Sequence, residues 1–312
     1  MRNMSTDRAQ DWAPELVASG LGFPEGPAPM SDGALVFVDQ YRFELTIVGP
    51  DRVPRQFAWT GGSPNSCGLG ADGAFDVCQN GGTVGPWHAP EMIAPSIQTV
   101  RAGGRAEALV TEVQGIKLNG PNDLAFAPDG SLVFTAPGVY NPKNPDLSYI
   151  YRVAPDGAAS VVIAFRTPVF PNGVTVEPDG SIIWDESYTG RAGRIRPNGK
   201  IEDLGRLPGE NPIPDGLKVG ADGRLYVTDV MAKGIHVLAP NGKPEGLIQC
   251  GVAPTNCAFA GDVLWVTDPG LTSLSAEATS KGCIWRLRIP GGGAPTYTGV
   301  IAEPQRKARG PS

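Results

Sequence analysis

A short hairpin signal recurs along this chain. Asp-Gly pairs precede the apolar runs ALVFVD, AFDVCQ, SLVFTA, SIIWDE and RLYVTD, and the aspartates are Asp32, Asp72, Asp129, Asp179 and Asp222. A sixth run, VLWVTD, follows the pair Gly261-Asp262. Since Gly accepts and Asp tolerates the positive φ of tight hairpin turns, each of these sites predicts two antiparallel strands joined by a turn.

A second series of turns falls later in most of these units, at VGPD, VAPDG, IRPNG, LAPNG and IPGGG. Two hairpins per unit give four strands, and the units recur every 40 to 57 residues with little helical periodicity between them. Six four-stranded sheets arranged radially bury their apolar faces and leave few open edges. The sequence therefore predicts an all-β fold, a six-bladed β-propeller with four antiparallel strands in each blade.

The two ends of the chain are predicted to meet in the last blade. That unit contains CIWRLRI and PTYTGVI, and it needs an N-terminal strand from PELVASG, because a propeller must close its ring. We therefore expect residues 1–312 to form one propeller domain. Residues 1–14 and 303–312 are expected to be flexible tails, since polar termini are often poorly ordered.

Composition narrows the class of partner. Lys and Arg number 26 against 32 Asp and Glu, giving a net charge of -6, and no basic cluster with interleaved aromatic residues indicates nucleic-acid binding. The longest apolar run, SVVIAF, is too short to cross a bilayer. The five cysteines lack a paired C-x-x-C spacing, which favours reduced thiols. We expect a soluble cytoplasmic protein with a small-molecule partner and no nucleic-acid or membrane partner.

One position in each unit is polar. Seven residues before the aspartates of the Asp-Gly series, and at the matching place in the sixth unit, stand Glu25, Asn65, Asn122, Asn172, Asp215 and Asn256. Each lies where the innermost strand of a blade should begin. Because innermost strands line the axis, we expect these six side chains to converge on one mouth of the central channel.

The chemistry of this ring of side chains has two interpretations. Asn and Asp commonly bond local backbone at strand starts, and one such residue would do only that. Glu25 does not share this preference for hydrogen bonds to the local backbone. Two acids with several amide oxygens resemble the all-oxygen shell of Ca²⁺ or, less strictly, of Mg²⁺ or Mn²⁺. The pattern favours a divalent-cation site at the channel mouth.

Histidine is too scarce for several other kinds of site. The chain contains His88 and His236, so a His-rich zinc centre is excluded and a Ser-His-Asp arrangement would have to use one of these two. His236 lies in an alternating strand pattern, GIHVLAP. His88 lies in an irregular insertion and is a candidate for overhanging the channel and contacting substrate, with a solvated loop histidine as the alternative.

Four motifs resemble those of a known family. FPEGP, GPNDLAFAPDG, FPNGVTVEPDG and IPDGLKVGADG are similar, in order and spacing, to the metal-bearing motifs of the SMP-30/gluconolactonase family, in particular its bacterial gluconolactonases. The resemblance implies that Glu25, Asn172 and Asp215 bind a divalent cation, that Asp215 is also the general base, and that Asn122 contacts metal or substrate. Asn65 and Asn256 match no consistent family ligand and remain candidates for lining the substrate channel.

The chain also departs from the family pattern. Pro29 replaces the Trp of E-G-P-x-W, CQNGG replaces a C-E-H-G hairpin, and FTAP replaces F-T-D-P. Side chains that would bind a polyhydroxylated lactone are thus altered. The insertion TVGPWHAPEMIAPSIQTV contains Trp87 and Met92. It is predicted either to cover a more apolar pocket or to be a surface loop with no role in binding.

The resemblance implies a metal-dependent hydrolase that opens a lactone, as gluconolactonases do. Ca²⁺ is the expected cation, with Mn²⁺, Zn²⁺ and Mg²⁺ as alternatives. Two other functions stay open. The same metal site could serve another reaction, such as organophosphate hydrolysis, another ring opening, or an isomerisation or cyclisation in a biosynthetic pathway, because fold alone does not fix chemistry. A non-catalytic propeller that binds Ca²⁺ is the third hypothesis.

Overall fold

The computed structural model describes residues 12–302, and most of this range forms antiparallel β-strands. In chain order the strands are β1 (Glu15–Leu21), β2 (Pro24–Pro29), β3 (Leu35–Asp39), β4 (Glu44–Val48), β5 (Pro54–Trp59), β6 (Pro64–Leu69), β7 (Phe75–Gln79), β8 (Thr83–Val84), β9 (Trp87–His88), β10 (Ser96–Val100), β11 (Glu107–Val110), β12 (Glu112–Val113), β13 (Ile116–Lys117), β14 (Leu124–Phe126), β15 (Leu132–Ala136), β16 (Tyr149–Val153), β17 (Ala159–Ala164), β18 (Pro171–Val176), β19 (Ile182–Glu186), β20 (Arg191–Ile195), β21 (Ile201–Arg206), β22 (Pro214–Val219), β23 (Leu225–Asp229), β24 (Gly234–Leu238), β25 (Pro244–Gln249), β26 (Asn256–Ala260), β27 (Val263–Asp268) and β28 (Gly282–Arg288). A 3₁₀ turn spans Gln40–Arg42.

The strands form six four-stranded sheets, which we call blades 1 to 6. From the inside outwards the blades are β2-β3-β4-β5, β6-β7-β10-β11, β14-β15-β16-β17, β18-β19-β20-β21, β22-β23-β24-β25 and β26-β27-β28-β1. The first strand of each blade contacts the first strand of the next, and β26 contacts β2, so these strands surround a central axis. Two ribbons, β8-β9 and β12-β13, stand outside the blades. The predicted six-bladed propeller is confirmed.

The Asp-Gly pairs form the turns that the sequence predicted. Asp32 Oδ1 accepts a hydrogen bond from the amide of Ala34 at 3.0 Å, and Gly33 between them has φ +87°. The other four aspartates of the series accept the same bond from the amide two residues later. A side chain that closes the turn on its own backbone explains why the pair recurs at the same place in five of the six blades.

The N-terminal strand closes the ring, as predicted. β1 pairs antiparallel with β28, and the Glu15 carboxylate lies against the guanidinium groups of Arg52 and Arg286. The outer position of blade 6 is thereby filled, and PTYTGVI, which the sequence analysis assigned to this unit, does not form a strand. Residues 295–301 instead cross the face of the propeller, where the carbonyl of Gly299 accepts a hydrogen bond from the amide of Ala71 in blade 2. Apart from 12–14, the predicted tails 1–14 and 303–312 lie outside the described residues.

The core lies between neighbouring blades, where the alternating apolar runs meet in separate hydrophobic clusters. All five cysteines are free thiols, in agreement with their unpaired spacing. No helix within 12–302 has the length and apolar character needed to span a membrane.

Asp76 in β7 is a buried carboxyl, and we expect it to make folding stability depend on pH. Burial raises the pKa of Asp76 from 3.8 to about 7, and a hydrogen bond from Thr99 on β10 opposes that shift. Because the folded protein keeps this proton where the unfolded chain releases it, the free energy of unfolding should fall as pH rises from about 4 to about 7. Asp76→Asn should lessen this fall by up to about 4 kcal/mol. Urea unfolding at a series of pH values measures the effect. Asp156→Asn, at an exposed turn, is the control, and equal pH slopes for Asp76→Asn and wild type would contradict the expectation.

Candidate active site

A cavity of about 740 Å³ opens at one mouth of the channel. Its wall includes five of the six residues in the predicted ring: Glu25, Asn65, Asn122, Asn172 and Asp215. Each comes from the innermost strand of a different blade or, for Asn122, from just before it. The structure thus brings together side chains that are widely separated in the sequence, and their chemical roles remain predictions.

Bulges in the innermost strands help to aim these side chains. The pairing ladders of β2, β6, β18 and β22 are interrupted at or beside Glu25, Asn65, Asn172 and Asp215. A bulge adds an unpaired residue and bends the strand, which turns the side chain at that point away from the regular alternation. The same irregularity in four blades therefore directs four side chains into one cavity.

Glycine follows three of these residues because the innermost strands approach one another closely. A Cβ atom on Gly173 would lie 2.5 Å from the carbonyl oxygen of Asp215, and one on Gly216 would lie 2.4 Å from Oδ1 of Asn256. Both distances are shorter than real Cβ contacts, so these positions require glycine. The E-G, N-G and D-G pairs of the motifs combine a side chain that lines the cavity with a backbone that fits against the next blade.

A hydrogen-bond chain fixes the orientation of Asn172. Its Nδ2 donates to Oγ of Ser187 at 3.0 Å, and Ser187 Oγ donates to the carbonyl of Pro214 at 2.7 Å. The other amide atom, Asn172 Oδ1, is buried and has no hydrogen-bond partner among the described residues. A buried oxygen without a partner is costly, and a cation is one of the groups that can satisfy it.

Glu25 and Asp215 are two carboxyls held close together. Burial raises the pKa of Glu25 to about 7, while the amide of Gly26 donates to its Oε2 at 2.8 Å. Burial also raises the pKa of Asp215 well above its usual range, and the charge of Glu25 raises it further. Contact with Asn172 acts in the opposite direction. A divalent cation between these carboxyls would stabilise both of them in the ionised form.

The residues present fit a hard cation. Their donor set consists of two carboxylates and the unpaired amide oxygen of Asn172, with Asn122 on the same cavity wall. Oxygen ligands of this kind suit Ca²⁺, Mg²⁺ or Mn²⁺. Within the described range, no three His, Cys, Asp or Glu side chains form a metal-binding group, so a cation here has to use amide oxygens besides the two acids.

Asn256 does not line the first cavity, although its side-chain amide is close enough to Glu25 to oppose the rise in the pKa of that carboxyl. The strand β26 has no bulge, Asn256 pairs regularly with Thr267, and its side chain lines a second cavity of about 660 Å³. There its Nδ2 lies 3.4 Å from Oδ1 of Asp123, whose Oδ2 is 3.6 Å from Nζ of Lys218. Asp123 also accepts a hydrogen bond from the amide of Val174, so it ties blades 3, 4, 5 and 6 together at the axis.

His88 is exposed and does not line the first cavity. It ends β9 in the ribbon β8-β9, where its Nδ1 lies 3.3 Å from Oγ1 of Thr83. The neighbouring residues Val84 and Pro86 line the cavity instead. The ribbon belongs to the insertion after β7, so part of that insertion does stand over the cavity.

A model of the SMP-30/gluconolactonase/LRE-like region matches residues 23–268 of this chain. The chain belongs to the SMP-30/gluconolactonase/LRE-like family. The match covers most of the propeller and includes the four motifs that carry Glu25, Asn122, Asn172 and Asp215. The resemblance inferred from those motifs is therefore confirmed.

Individual relatives agree with this family. The gluconolactonase of Zymomonas mobilis subsp. mobilis is 26% identical over 287 residues, which covers 81% of this chain and 78% of the relative. A gluconolactonase structure from Xanthomonas campestris superposes with a TM-score of 0.72 at 22% identity over 91% of this chain and 93% of its own. The calcium-binding protein regucalcin from Agrobacterium tumefaciens gives a TM-score of 0.73 at 17% identity, with 93% and 98% covered. At these identities the two structures support the shared fold.

Two side chains of this family member were missed from the sequence. Ser187 orients Asn172, and Tyr140 lines the cavity near Asp215. Burial and the charge of Asp215 raise the pKa of Tyr140 further above neutrality, and its hydroxyl can donate a hydrogen bond. Both residues follow the second strand of a blade, outside the repeated register, so no periodic signal marks them.

Ser187→Ala should weaken cation binding without unfolding the protein. The substitution removes the acceptor for Asn172 Nδ2, so the amide is free to turn its oxygen away from the site. Loss of a partner that orients a ligand typically costs about tenfold in metal affinity, and we expect a loss of about that size for Ca²⁺ by isothermal titration calorimetry. Ser187→Thr keeps the hydroxyl and should bind more tightly than Ser187→Ala. Unchanged affinity in Ser187→Ala would show that Asn172 is not a ligand held by this bond.

Proposed function

We propose that the protein is a divalent-cation-dependent hydrolase that opens a lactone with water. The observation that carries the proposal is the buried Oδ1 of Asn172, which has no hydrogen-bond partner within residues 12–302 and lies beside the carboxyls of Glu25 and Asp215 in a cavity of small-molecule size. Membership of the gluconolactonase family and the similarity to a curated gluconolactonase support the reaction class.

The cation would be held by Glu25, Asn172 and Asp215, with Asn122 as a further ligand or a substrate contact. Ca²⁺ is the expected ion, because all these donors are oxygens and a structural neighbour is described as a calcium-binding protein. When bound, a divalent ion supplies Lewis-acid polarisation of the ester carbonyl.

Asp215 is the proposed general base. It accepts a proton from the attacking water as the water oxygen bonds to the carbonyl carbon. The bond from that carbon to the ring oxygen then breaks, and the proton ends on the released alcohol, so the product is a hydroxy acid. Burial makes Asp215 a stronger base than a solvated carboxylate, while a nearby cation opposes this effect.

Hydrogen-bond donors around the cavity orient the substrate. The side-chain amides of Asn65 and Asn122 and the hydroxyl of Tyr140 reach the cavity from blades 2 and 3. Donors fixed in advance stabilise negative charge that develops on the carbonyl oxygen, because they need no reorganisation during the reaction.

Chelation tests the proposal. Hydrolysis of simple δ-lactones, followed by proton release, should fall about 100-fold or more after EDTA treatment and removal of the chelator. Adding Ca²⁺ should restore it, and Mn²⁺, Zn²⁺ and Mg²⁺ are tested in parallel. Full activity after chelation contradicts the cation requirement. Tight Ca²⁺ binding with no lactone turnover indicates a binding propeller instead of a hydrolase.

A further inference from the structure

The cavity is bounded on one side by an apolar surface, which we call wall A: Phe23, Val84, Leu271 and Leu274. All four belong to or pack against one hydrophobic cluster. They come from the segment before β2, the insertion of blade 2 and the loop between β27 and β28, which are in blades 1, 2 and 6. Three neighbouring blades thus contribute to one continuous apolar surface at the cavity mouth.

Wall A is held in place by packing. Trp87 on the ribbon β8-β9 is buried. Its ring centroid lies 4.7 Å from that of Tyr41 and 6.1 Å from that of Phe43, against which it stacks. The ribbon also fits tightly against the blade 6 loop, because a Cβ atom on Gly85 would lie 2.6 Å from Leu274. The apolar surface is therefore formed before any ligand arrives.

A second surface, wall B, consists of the aromatic rings of Tyr140 and Phe170 from blades 3 and 4, with the Tyr140 hydroxyl as its one polar group. Their rings meet edge to face at 5.1 Å, and the ring of Tyr188 lies 5.1 Å from Phe170 and 5.4 Å from Tyr140. The Tyr188 hydroxyl accepts a hydrogen bond from the amide of Asn141, which fixes the loop that carries Tyr140.

The backbone of Phe170 supports a functional role for wall B. Phe170 has φ +55°, a left-handed conformation that is uncommon for a bulky residue. Such outliers persist where the surrounding structure imposes them, and they are frequent at ligand-binding sites. Here the conformation belongs to the residue just before β18, two positions from Asn172, so wall B is connected directly to the candidate cation site.

Most of the cavity surface is apolar, and the polar part of its lining beyond the innermost strands consists mainly of neutral side chains: Gln40, Asn80, Thr83, Asn141, Thr272 and Ser273. No arginine or histidine of the described residues lines the cavity, and its one cationic side chain, Lys143, is exposed. The amides of Asn65 and Asn122 belong to the ring of side chains that includes Glu25 and Asp215, and to neither wall. A hydroxyl group placed between the walls would exchange its hydrogen bonds with water for apolar contacts, which is unfavourable. At about 740 Å³ the cavity also falls in the range that accommodates drug-sized ligands.

We infer that the substrate is a lactone carrying a hydrocarbon substituent, and that this substituent lies between walls A and B while the ester carbonyl reaches Glu25, Asn172 and Asp215. The inference rests on the proposed lactone hydrolysis for its reaction and on the two walls for its specificity. It distinguishes this chain from an enzyme for polyhydroxylated sugar lactones.

Binding and turnover test the inference separately. Binding is measured by calorimetry with δ-lactams, which resist hydrolysis: piperidin-2-one, 6-pentylpiperidin-2-one and gluconolactam, each with Ca²⁺ and with EDTA. Each methylene buried between the walls should increase affinity about fourfold, so the pentyl compound should bind at least about tenfold more tightly than the other two. Turnover is measured with δ-valerolactone, δ-decalactone and glucono-1,5-lactone, and δ-decalactone should have the highest kcat/KM.

A matched pair of variants assigns the preference to wall A. Leu274→Asn places an amide on the wall and should reduce the affinity for the pentyl lactam about tenfold relative to piperidin-2-one. Leu247→Asn makes the same change on the exposed outer strand β25 and should leave that ratio as in wild type. Equal ratios for the two variants would overturn the assignment to wall A.

The outcomes separate the two proposals. Tighter binding of gluconolactam or faster turnover of glucono-1,5-lactone overturns the inference but not the proposed lactone hydrolysis. Failure of the pentyl lactam to bind, while lactones are still hydrolysed, has the same meaning. Preferential binding of the pentyl lactam without hydrolysis of any lactone supports the apolar specificity and overturns the hydrolase proposal.

Discussion

Asp215→Asn should lower the rate of lactone hydrolysis by about a thousandfold or more while the protein stays folded. The variant keeps the size of the side chain and removes the group that accepts the proton from water, and general bases contribute about 100-fold to 10,000-fold. Because Asp215 is buried beside Glu25, loss of one negative charge should not destabilise the cation-free protein. Proton-release assays at saturating Ca²⁺ and thermal unfolding measure the two effects.

The control for this variant is Asp262→Asn. Asp262 is an exposed aspartate at the β26-β27 turn, with its Oδ2 3.6 Å from Nη1 of Arg288. The Asp262→Asn variant should keep wild-type turnover. If Asp215→Asn lost activity only at low Ca²⁺ and recovered it at saturating Ca²⁺, Asp215 would be a cation ligand alone. Wild-type activity in Asp215→Asn at all Ca²⁺ concentrations would place the base elsewhere.

Glu25→Gln should eliminate the stabilisation of the protein by Ca²⁺. A ligand at about 100 times its Kd stabilises the folded state by about 2.7 kcal/mol, which corresponds to a rise in Tm of roughly 5 °C for a chain of this size. Glu25 supplies one of the two charges at the site, so its neutral analogue should bind Ca²⁺ too weakly to produce this rise. The measurement is thermal unfolding with Ca²⁺ and with EDTA.

Glu107→Gln provides the matched comparison. Glu107 is exposed on β11, the outer strand of blade 2, far from the axis, and its replacement should leave the Ca²⁺-induced rise in Tm intact. A Ca²⁺-induced rise in Glu25→Gln equal to that of wild type would place the ion at another position in the molecule.

The fold could be predicted because its signals are local and repeated. The Asp-Gly turns close on themselves through a hydrogen bond from the aspartate, and that bond does not depend on the rest of the structure. Counting back from these turns gave the start of each innermost strand. Five of the six residues found in this way line one cavity, because the blades repeat the same register around one axis.

The remaining parts of the site depend on how elements pack. Asn256 occupies the predicted register, yet β26 lacks the bulge seen in four other innermost strands, and its side chain turns to Asp123. His88 lies on a ribbon whose orientation is set by burial of Trp87, which leaves the histidine outside the cavity. Ser187 acts through hydrogen bonds to Asn172 in the neighbouring strand β18 and to Pro214 in the next blade. None of these features has a periodic sequence signature.

Closure of blade 6 has a consequence for how the protein folds. The ion pair between Glu15 and Arg286 joins residues 271 positions apart, and the β1-β28 ladder around it has a comparable separation. Pairings between such remote segments form slowly, because the intervening chain must lose its freedom before the contact is gained. During synthesis β1 is made before its partner β28. Until β28 is available, the backbone N–H and C=O groups of β1 form hydrogen bonds with water. We therefore expect the sixth blade to be completed last, and the cavity to acquire the part of its wall that blade 6 supplies only at that step.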